Sequence, residues 1–306
     1  MWHFNPAGAL DTIRTPKNDE FFSSNHCEAV VREAVQNSLD ATPNGSSLKT
    51  RVVFSFVTVK GAEFLSDLEE VKLHCASIDK HVPTGSEVKS LLIEDFNTTG
   101  LQGSIDKFAP KDERDSLYSF WWEEGSSHKK TGSGGSHGVG KSTLSSASQF
   151  NTFLALTRRT DDPFEALIGF CSLPPHELHE KQYLGYARYG ALTKSGADKR
   201  LLPYTSSSKE GQAKIALFRE HCEPIRGEES GLSVLVPWVH KDLTFGEIVK
   251  VVLKNFFLPI IKENLEVEVA DRNSGSSVVL RKSNVIEVAL EFFKGSGEGQ
   301  ELHSLM

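Results

Sequence analysis

Three short polar motifs hold the side chains that could do chemistry, and the first lies on a predicted helix over residues 27–41. At 100° per residue, Glu33, Asn37 and Asp40 fall in one narrow stripe. The arc beside the stripe is apolar and contains Val30, Val31, Ala34, Val35 and Leu39. Two carboxylates and an amide on one face could orient a water molecule or hold a cation, and a solvated polar face is the alternative.

The second motif follows a short apolar run over residues 90–95 that is typical of a buried strand. The run ends on Asp95, so the strand delivers a carboxylate at its tip. Asn97 and Gly100 follow in the next turn, and Asn tolerates a left-handed backbone better than most residues.

The third motif is a glycine-rich loop over residues 131–143. Glycines at this density let backbone N–H groups approach an anion, and a helix after the loop adds its positive end. The loop therefore predicts a phosphate-binding site, with a flexible linker as the alternative. Its candidate binding residues are Gly135, Ser136, His137, Gly138, Val139, Gly140 and Lys141.

Residues 135–142 also satisfy the P-loop pattern G-x-x-x-x-G-K-S. A P-loop needs a buried strand directly before its glycines, and residues 123–130 are too polar to form one. The acidic end of an apolar run, Asp95, lies before the loop instead of after it. This context disfavours a P-loop nucleoside triphosphatase.

The elements that must position these motifs are read from hydrophobic periodicity. We predict strands over 49–59, 90–95, 150–156, 166–172, 231–236, 265–270 and 278–281, helices over 27–41, 64–78, 144–148 and 244–262, and a short amphipathic segment over 285–293. This order predicts an α+β fold, a two-layer α/β sandwich with a mixed, mostly antiparallel sheet and helices on one face. The predicted domains are an N-terminal arm (1–25), a main domain (26–240, with a lid at 101–136 and a loop-rich excursion at 174–230) and a C-terminal extension (241–306) that could begin a second, truncated domain.

Composition limits the class of protein. The 306 residues carry a net charge of −7, with 41 acidic against 34 basic residues, so unaided nucleic-acid binding is not favoured. We expect no membrane association, because no apolar run is long enough to span a bilayer and the first residues lack a secretion signal. The four cysteines form no C-x-x-C pair, which indicates reduced thiols and a cytoplasmic location.

Taken together and in this order, the three motifs resemble those of the GHKL superfamily of ATPases, which comprises gyrase, the heat-shock chaperone, histidine kinases and MutL and has the Bergerat nucleotide-binding fold. The resemblance covers residues 26–150 and extends more loosely to 231–237. It implies ATP and Mg²⁺ as ligands. Under it, Asn37 binds Mg²⁺, Glu33 is the general base, Asp95 accepts a hydrogen bond from the adenine amino group, Asp40 supports the site, and the 135–141 loop binds the phosphates.

The sequence departs from the family pattern in three places. Asn97 stands where the second motif has its first glycine, with one additional residue before Gly100. Gly231-Leu232 stands where the late strand has Gly-Thr, so a hydroxyl is missing or is replaced by Ser230 or Ser233. About 70 residues follow Pro237, too few for the transducer domain whose lysine reaches the γ-phosphate; a longer protein or a partner could supply it.

The resemblance implies an ATP-gated switch that closes a homodimer through the ATPase domain and acts on a partner protein or downstream effector domain. It leaves the process open, with DNA-related work and anti-phage defence among the options. A GHKL protein kinase is one alternative, which Glu33 disfavours. A pseudo-ATPase that only binds nucleotide or a partner is another, supported by the altered second motif. The zincin-like string at residues 176–180 has its histidines at i and i+3, and a surface turn is the favoured interpretation.

Overall fold

The structure is a computed structural model that describes residues 1–11, 25–43, 45–106, 115–122, 140–195 and 198–294. Its helices are α1 His26–Asp40, α2 Ala62–Ser66, α3 Glu69–Ala76, α4 Ser116–Trp121, α5 Gly140–Ser146, α6 Lys209–Cys222, α7 Phe245–Ile261 and α8 Val285–Phe292. Its strands are β1 Trp2–Pro6, β2 Thr50–Val59, β3 Val88–Phe96, β4 Thr152–Arg158, β5 Glu165–Ser172, β6 His176–Leu178, β7 Lys181–Tyr189, β8 Ala191–Ser195, β9 Asp198–Leu202, β10 Tyr204–Thr205, β11 Gly231–Pro237, β12 Leu265–Asp271 and β13 Ser276–Leu280.

One large sheet organises the chain, with the strand order β1-β7-β5-β4-β11-β3-β2-β12-β13. Strand β10 pairs with β5, β6 pairs with β7, and β8 and β9 form a separate hairpin. In the described part of the chain, β12 runs parallel to β2 and the other paired strands are antiparallel. The prediction of a mixed, mostly antiparallel α+β fold is confirmed.

The helices cover both faces of the sheet, which corrects the prediction of helices on one face. Helices α1, α5, α7 and α8 pack on the first face, and α2, α3 and α6 contribute to a second core on the other. The central strands are apolar on both sides: in β3, Leu91 and Ile93 face the first core while Leu92 faces the second. A strand buried on both faces reads as a continuous apolar run, and the run alone does not show which helices cover each side.

Three segments differ from the predicted domain division. The first residues of the expected arm form β1, whose Trp2 and Phe4 are buried. The expected loop-rich excursion contains β6 to β10 and α6, and its strand β7 pairs with both β1 and β5. Residues 241–294 extend the same sheet and core through β12, β13, α7 and α8, so they are not a separate unit.

Several local features complete the description of the fold. The backbone of α7 is non-helical at Phe256, three residues before Pro259, as expected where a proline ring meets the preceding turn. The zincin-like string forms the β6–β7 hairpin, with His179 and Glu180 in the left-handed region. All four cysteines are unpaired and buried. Within the described ranges, no helix has both the length and the apolar character needed to cross a membrane.

Candidate functional site

Helix α1 presents the first motif. Asn25 caps it by accepting a hydrogen bond from the Glu28 N–H at 3.0 Å, and its buried face packs against α5 and α7. Glu33 and Asn37 lie one turn apart on the half-buried side, as i,i+4 neighbours. The Asn37 amide nitrogen donates to Glu33 Oε1 at 2.8 Å. The amide nitrogen, rather than the amide oxygen, therefore faces the carboxylate.

The end of β3 presents Asp95 beside the same helix. Ser38 Oγ, on α1, shares its one proton between the Ala34 carbonyl oxygen at 2.8 Å and Asp95 Oδ2 at 3.2 Å. Thr98 Oγ1 and the Leu232 N–H donate to Asp95 Oδ1 at 2.6 and 2.9 Å. Burial raises the pKa of Asp95, and the Arg226 charge together with these hydrogen bonds opposes that rise. Three donors from three segments hold the carboxylate in one orientation.

The turn after β3 contains two residues with positive φ, Asn97 and Gly100. Asn97 adopts φ 63°, the left-handed conformation that the family glycine would supply, and its side chain donates to the Lys49 carbonyl at 2.8 Å. Gly100 has φ 67°, and a Cβ there would lie 2.4 Å from the Arg158 carbonyl oxygen. The Thr99 N–H donates to the Ala41 carbonyl at 2.9 Å, which fastens the turn to the end of α1.

Gly231 explains how the late strand reaches Asp95 without a threonine. Its φ is 141°, and a Cβ would lie 2.4 Å from the Asp95 carbonyl oxygen and 2.6 Å from Asp95 Oδ1. Only a glycine fits this close approach, which brings the Leu232 N–H to the carboxylate. The two hydroxyls expected as replacements point elsewhere: Ser230 donates to the Thr98 carbonyl at 2.6 Å and Ser233 to Glu94 Oε1 at 2.9 Å. Hydroxyls of Ser38 and Thr98 reach Asp95 in their place.

Arg226 lies beneath Asp95 and was missed by the sequence analysis. Its guanidinium is 2% exposed and stacks on the Phe96 ring, 4.6 Å from the centroid. It donates to Ser233 Oγ and to four backbone carbonyls, those of Asp95, Glu229, Ser230 and Leu232. Arginine presents five donors in a rigid fork, so one side chain fixes the 229–232 segment against β3. A single arginine in a polar stretch gave no signal in the sequence.

The remaining predicted site residues are placed as follows. Gly140 begins α5, and residues 135–139 lie outside the described residues. Lys141 is 5% exposed, with Nζ 3.4 Å from the Trp121 carbonyl oxygen and 4.4 Å from the centroid of the Phe170 ring. Asp40 is exposed in the last turn of α1, and Ser38 is the α1 side chain that contacts Asp95.

The donor set fits the ligands that the resemblance implies. Mg²⁺ takes few protein ligands and keeps several waters, so the single amide oxygen of Asn37, which points away from Glu33 on a half-buried helix face, suits it. Asp95 Oδ2 accepts the Ser38 hydroxyl, and a carboxylate oxygen can accept a second donor.

The described elements next to the three motifs are adjacent in one sandwich. Glu33 and Asn37 are on α1, Asp95 ends the neighbouring strand, and the glycine-rich segment leads into α5, which packs against α1.

Comparison with known proteins gives the following matches. No family model and no curated protein matches the sequence. The ATPase region of Saccharomyces cerevisiae topoisomerase II superposes with a TM-score of 0.42 at 14% identity, over 87% of this chain and 53% of that one. The same region bound to ICRF-187 (dexrazoxane) gives 0.41 at 13% identity, over 86% and 52%. The chain thus spans about half the length of these structures, and the superposition is too loose to support an argument about the site.

Proposed function

We propose that this chain is a Mg²⁺-dependent ATPase of the GHKL type, in which α1 carries both the catalytic residue and part of the base-binding pocket. The observation that supports this most directly is the contact from Ser38 to Asp95, on the helix whose preceding turn holds the Glu33–Asn37 pair. Helix α1 thus links Asp95, a hydrogen-bond acceptor, to the Glu33–Asn37 pair.

Asp95 is proposed to bind the adenine amino group. Its Oδ1 takes two donors and its Oδ2 takes one, so Oδ2 can accept a further N–H. Because three donors already orient the carboxylate, the side chain loses little freedom when it binds the base. An acceptor at this position favours adenine, whose amino group donates, over guanine, which presents a carbonyl at the equivalent carbon.

Glu33 and Asn37 are proposed to act at the triphosphate. Asn37 would supply its amide oxygen to Mg²⁺, which offsets negative charge on the phosphates when bound. Glu33 would orient the attacking water and accept its proton, and the Asn37 N–H at 2.8 Å fixes the carboxylate that does so. The 135–140 segment would supply backbone donors to the phosphates.

Calorimetric titration with ATP and Mg²⁺ tests the binding part of this proposal. Asp95→Ala should abolish measurable ATP binding, because the base loses its acceptor. Asp79→Asn is the matched control: Asp79 is an exposed acid with φ 58°, a conformation that asparagine tolerates, and its removal should leave affinity unchanged. If wild-type protein bound no adenine nucleotide, the proposal would be wrong.

A second candidate function is a nucleotide-gated binding module that does not hydrolyse ATP. The observation that favours it is Lys141, the cation predicted for the phosphates, which is buried beside the Trp121 carbonyl and the Phe170 ring. Under this alternative, ATP binds at Asp95 and turnover is absent in the wild type. A steady-state phosphate-release assay on protein that binds ATP separates the two.

The proposal extends to the biological role of the chain. We propose that ATP closes a homodimer of this domain, which then acts on a partner protein or effector domain in a DNA-related or anti-phage defence process. Sedimentation velocity with and without a non-hydrolysable ATP analogue tests the dimer: a nucleotide-dependent increase in mass is expected, and a monomer in both states would contradict it.

A further inference from the structure

A cluster of two histidines and one aspartate lies at the opposite end of α1 from Asp95. His26 is the first residue of α1, and His240 and Asp242 lie in the turn between β11 and α7. His26 Nδ1 is 3.1 Å from Asp242 Oδ2, and His240 Nδ1 is 2.5 Å from Asp242 Oδ1. One ligand atom from each residue can be chosen so that all three lie within 4.8 Å of one another.

We propose that His26, His240 and Asp242 form a binding site for a divalent transition metal ion of the zinc class. Two imidazole nitrogens and one carboxylate oxygen are a ligand set that proteins use for Zn²⁺ and its neighbours, and rarely for Mg²⁺ or Ca²⁺. Zinc bonds of about 2.0–2.2 Å in a tetrahedral site place the ligand atoms roughly 3.4 Å apart. The short contacts to Asp242 must therefore open slightly and the widest separation must close, which side-chain rotation of partly exposed residues can supply.

The arrangement of the two rings favours a cation at this point. The imidazoles of His26 and His240 stack with centroids 4.5 Å apart and an interplanar angle of 26°, and both turn Nδ1 toward Asp242. Without a metal, the carboxylate contacts require an N–H on both Nδ1 atoms. A metal ion satisfies the two nitrogens and the carboxylate together, with both rings neutral.

The backbone on each side of the cluster is fixed, so the ligands are held before the ion binds. Asn25 caps α1 directly before His26. The His240 N–H donates to the Ala147 carbonyl at 2.8 Å, and the Leu243 N–H donates to the His240 carbonyl at 3.1 Å. Side-chain exposures of 15% for His26, 32% for His240 and 39% for Asp242 leave the site reachable from solvent.

A cavity gives the ion a fourth position. It has a volume of about 510 Å³ and is lined by both histidines of the cluster, together with Lys80, His81, Ser148 and Asn151 among others. Three protein ligands and one open position that faces a cavity are typical of reactive zinc sites, in which water or an anion completes the coordination. The Lys80 side chain at the cavity wall suits an anionic fourth ligand.

This site is separate from the proposed ATP site. His26 precedes Glu33 by seven residues, about 10 Å along the helix axis. A bound ion would fasten the start of α1 to the β11–α7 turn, while Ser38 and Asp95 hold its other end. The inference does not depend on nucleotide binding.

Titration of the full chain with Co²⁺, without nucleotide, tests the proposal, because Co²⁺ in a site of this kind absorbs visible light. Wild-type protein should bind one equivalent with ligand-field bands, and Zn²⁺ should displace it and raise the melting temperature. Asp242→Asn and His240→Gln should each weaken Zn²⁺ binding by at least roughly tenfold. The control His81→Gln, in the same cavity wall but outside the cluster, should bind as the wild type does.

Two results would overturn the proposed metal site. One is the absence of stoichiometric Co²⁺ or Zn²⁺ binding by the wild-type protein, which would leave a hydrogen-bonded His–Asp–His cluster. The other is undiminished binding by a His240→Gln/Asp242→Asn double variant, which would place the ion elsewhere. Circular dichroism of each variant confirms that it folds, and the wild-type titration decides the question even if one does not.

Discussion

The hydroxyl of Ser38 lies 3.2 Å from Asp95 Oδ2 and joins the middle of α1 to the tip of β3. Ser38 is next in sequence to Asn37, whose amide contacts Glu33. The orientation of Asp95, the proposed base-binding residue, is thereby coupled through one helical turn to the positions of Glu33 and Asn37.

Removal of this hydroxyl should weaken ATP binding. Ser38→Ala deletes a hydroxyl that is shared between Asp95 and the Ala34 carbonyl, and a hydrogen bond contributes about 0.5–1.5 kcal/mol net, so a loss of roughly 2- to 10-fold in ATP affinity is expected by calorimetry. The control is Ser66→Ala, at an exposed serine that bonds only to the carbonyl of Glu63 in its own helix. Equal affinities in both variants would show that Ser38 does not position Asp95.

Gly231 should tolerate no side chain. Gly231→Ala places a Cβ 2.4 Å from the Asp95 carbonyl oxygen at a φ of 141°, so either the late strand moves or Asp95 does. We expect a lower melting temperature together with loss of ATP binding. Gly246→Ala in the first turn of α7 is the control, since nothing lies within 4 Å of its added Cβ. A Gly231→Ala protein with wild-type stability and affinity would contradict the close approach.

The pH dependence of ATP binding should report the ionisation of Asp95. Burial raises the pKa of this carboxyl, so protonation sets in at a higher pH than for an ordinary aspartate. Because the proton occupies the acceptor that adenine needs, affinity should fall as the pH falls through the raised pKa and should recover above it. Asp95→Asn should bind weakly and lack this acid limb. The comparison between the two proteins also cancels the titration of the phosphates.

The free energy of unfolding should decrease in acid because of the contact between His74 and His176. Burial lowers the pKa of His74 from 6.5 to about 4, and its Nδ1 is 2.6 Å from His176 Nε2. The folded state thus binds a proton less readily than the unfolded chain, so this contribution to stability is present above pH 6.5 and is lost as the pH falls towards 4.

A His74→Phe variant tests this dependence. It should lose less stability than the wild type between pH 6.5 and 4 in urea denaturation, since its aromatic ring can still stack on Phe4. His81→Asn, at an exposed histidine that is not among the groups that shift the pKa of His74, is the control and should follow the wild-type pH profile. Parallel profiles for all three proteins would exclude His74 as the source.

The sequence was most informative where function and secondary structure coincide locally. Helical periodicity predicted the Glu33–Asn37 pair, and one apolar run predicted that β3 would end near Asp95. The sequence did not predict contacts between segments that lie far apart along the chain. Arg226 reaches Asp95 across 131 positions, and β1 pairs with β7 at the far edge of the sheet. Neither depends on a local pattern, because each follows from how the strands are ordered.

The same limit applies to the metal cluster. His26 and Asp242 lie 216 positions apart, and His240 and Asp242 belong to a turn with no ligand spacing typical of a zinc motif. The sequence also did not predict the second core. Helix α6 contributes to this core, but the glycines, prolines and charged residues of its region indicated loops.

The central claim is that Glu33 is the general base, and a comparison of ATP binding with ATP hydrolysis in Glu33→Gln measures it most directly. Glutamine keeps the size of the side chain and its contact with Asn37, but it cannot accept a proton. The variant should bind ATP·Mg²⁺ with near wild-type affinity and hydrolyse it about 100- to 10,000-fold more slowly. Hydrolysis by Glu33→Gln at the wild-type rate would contradict the account.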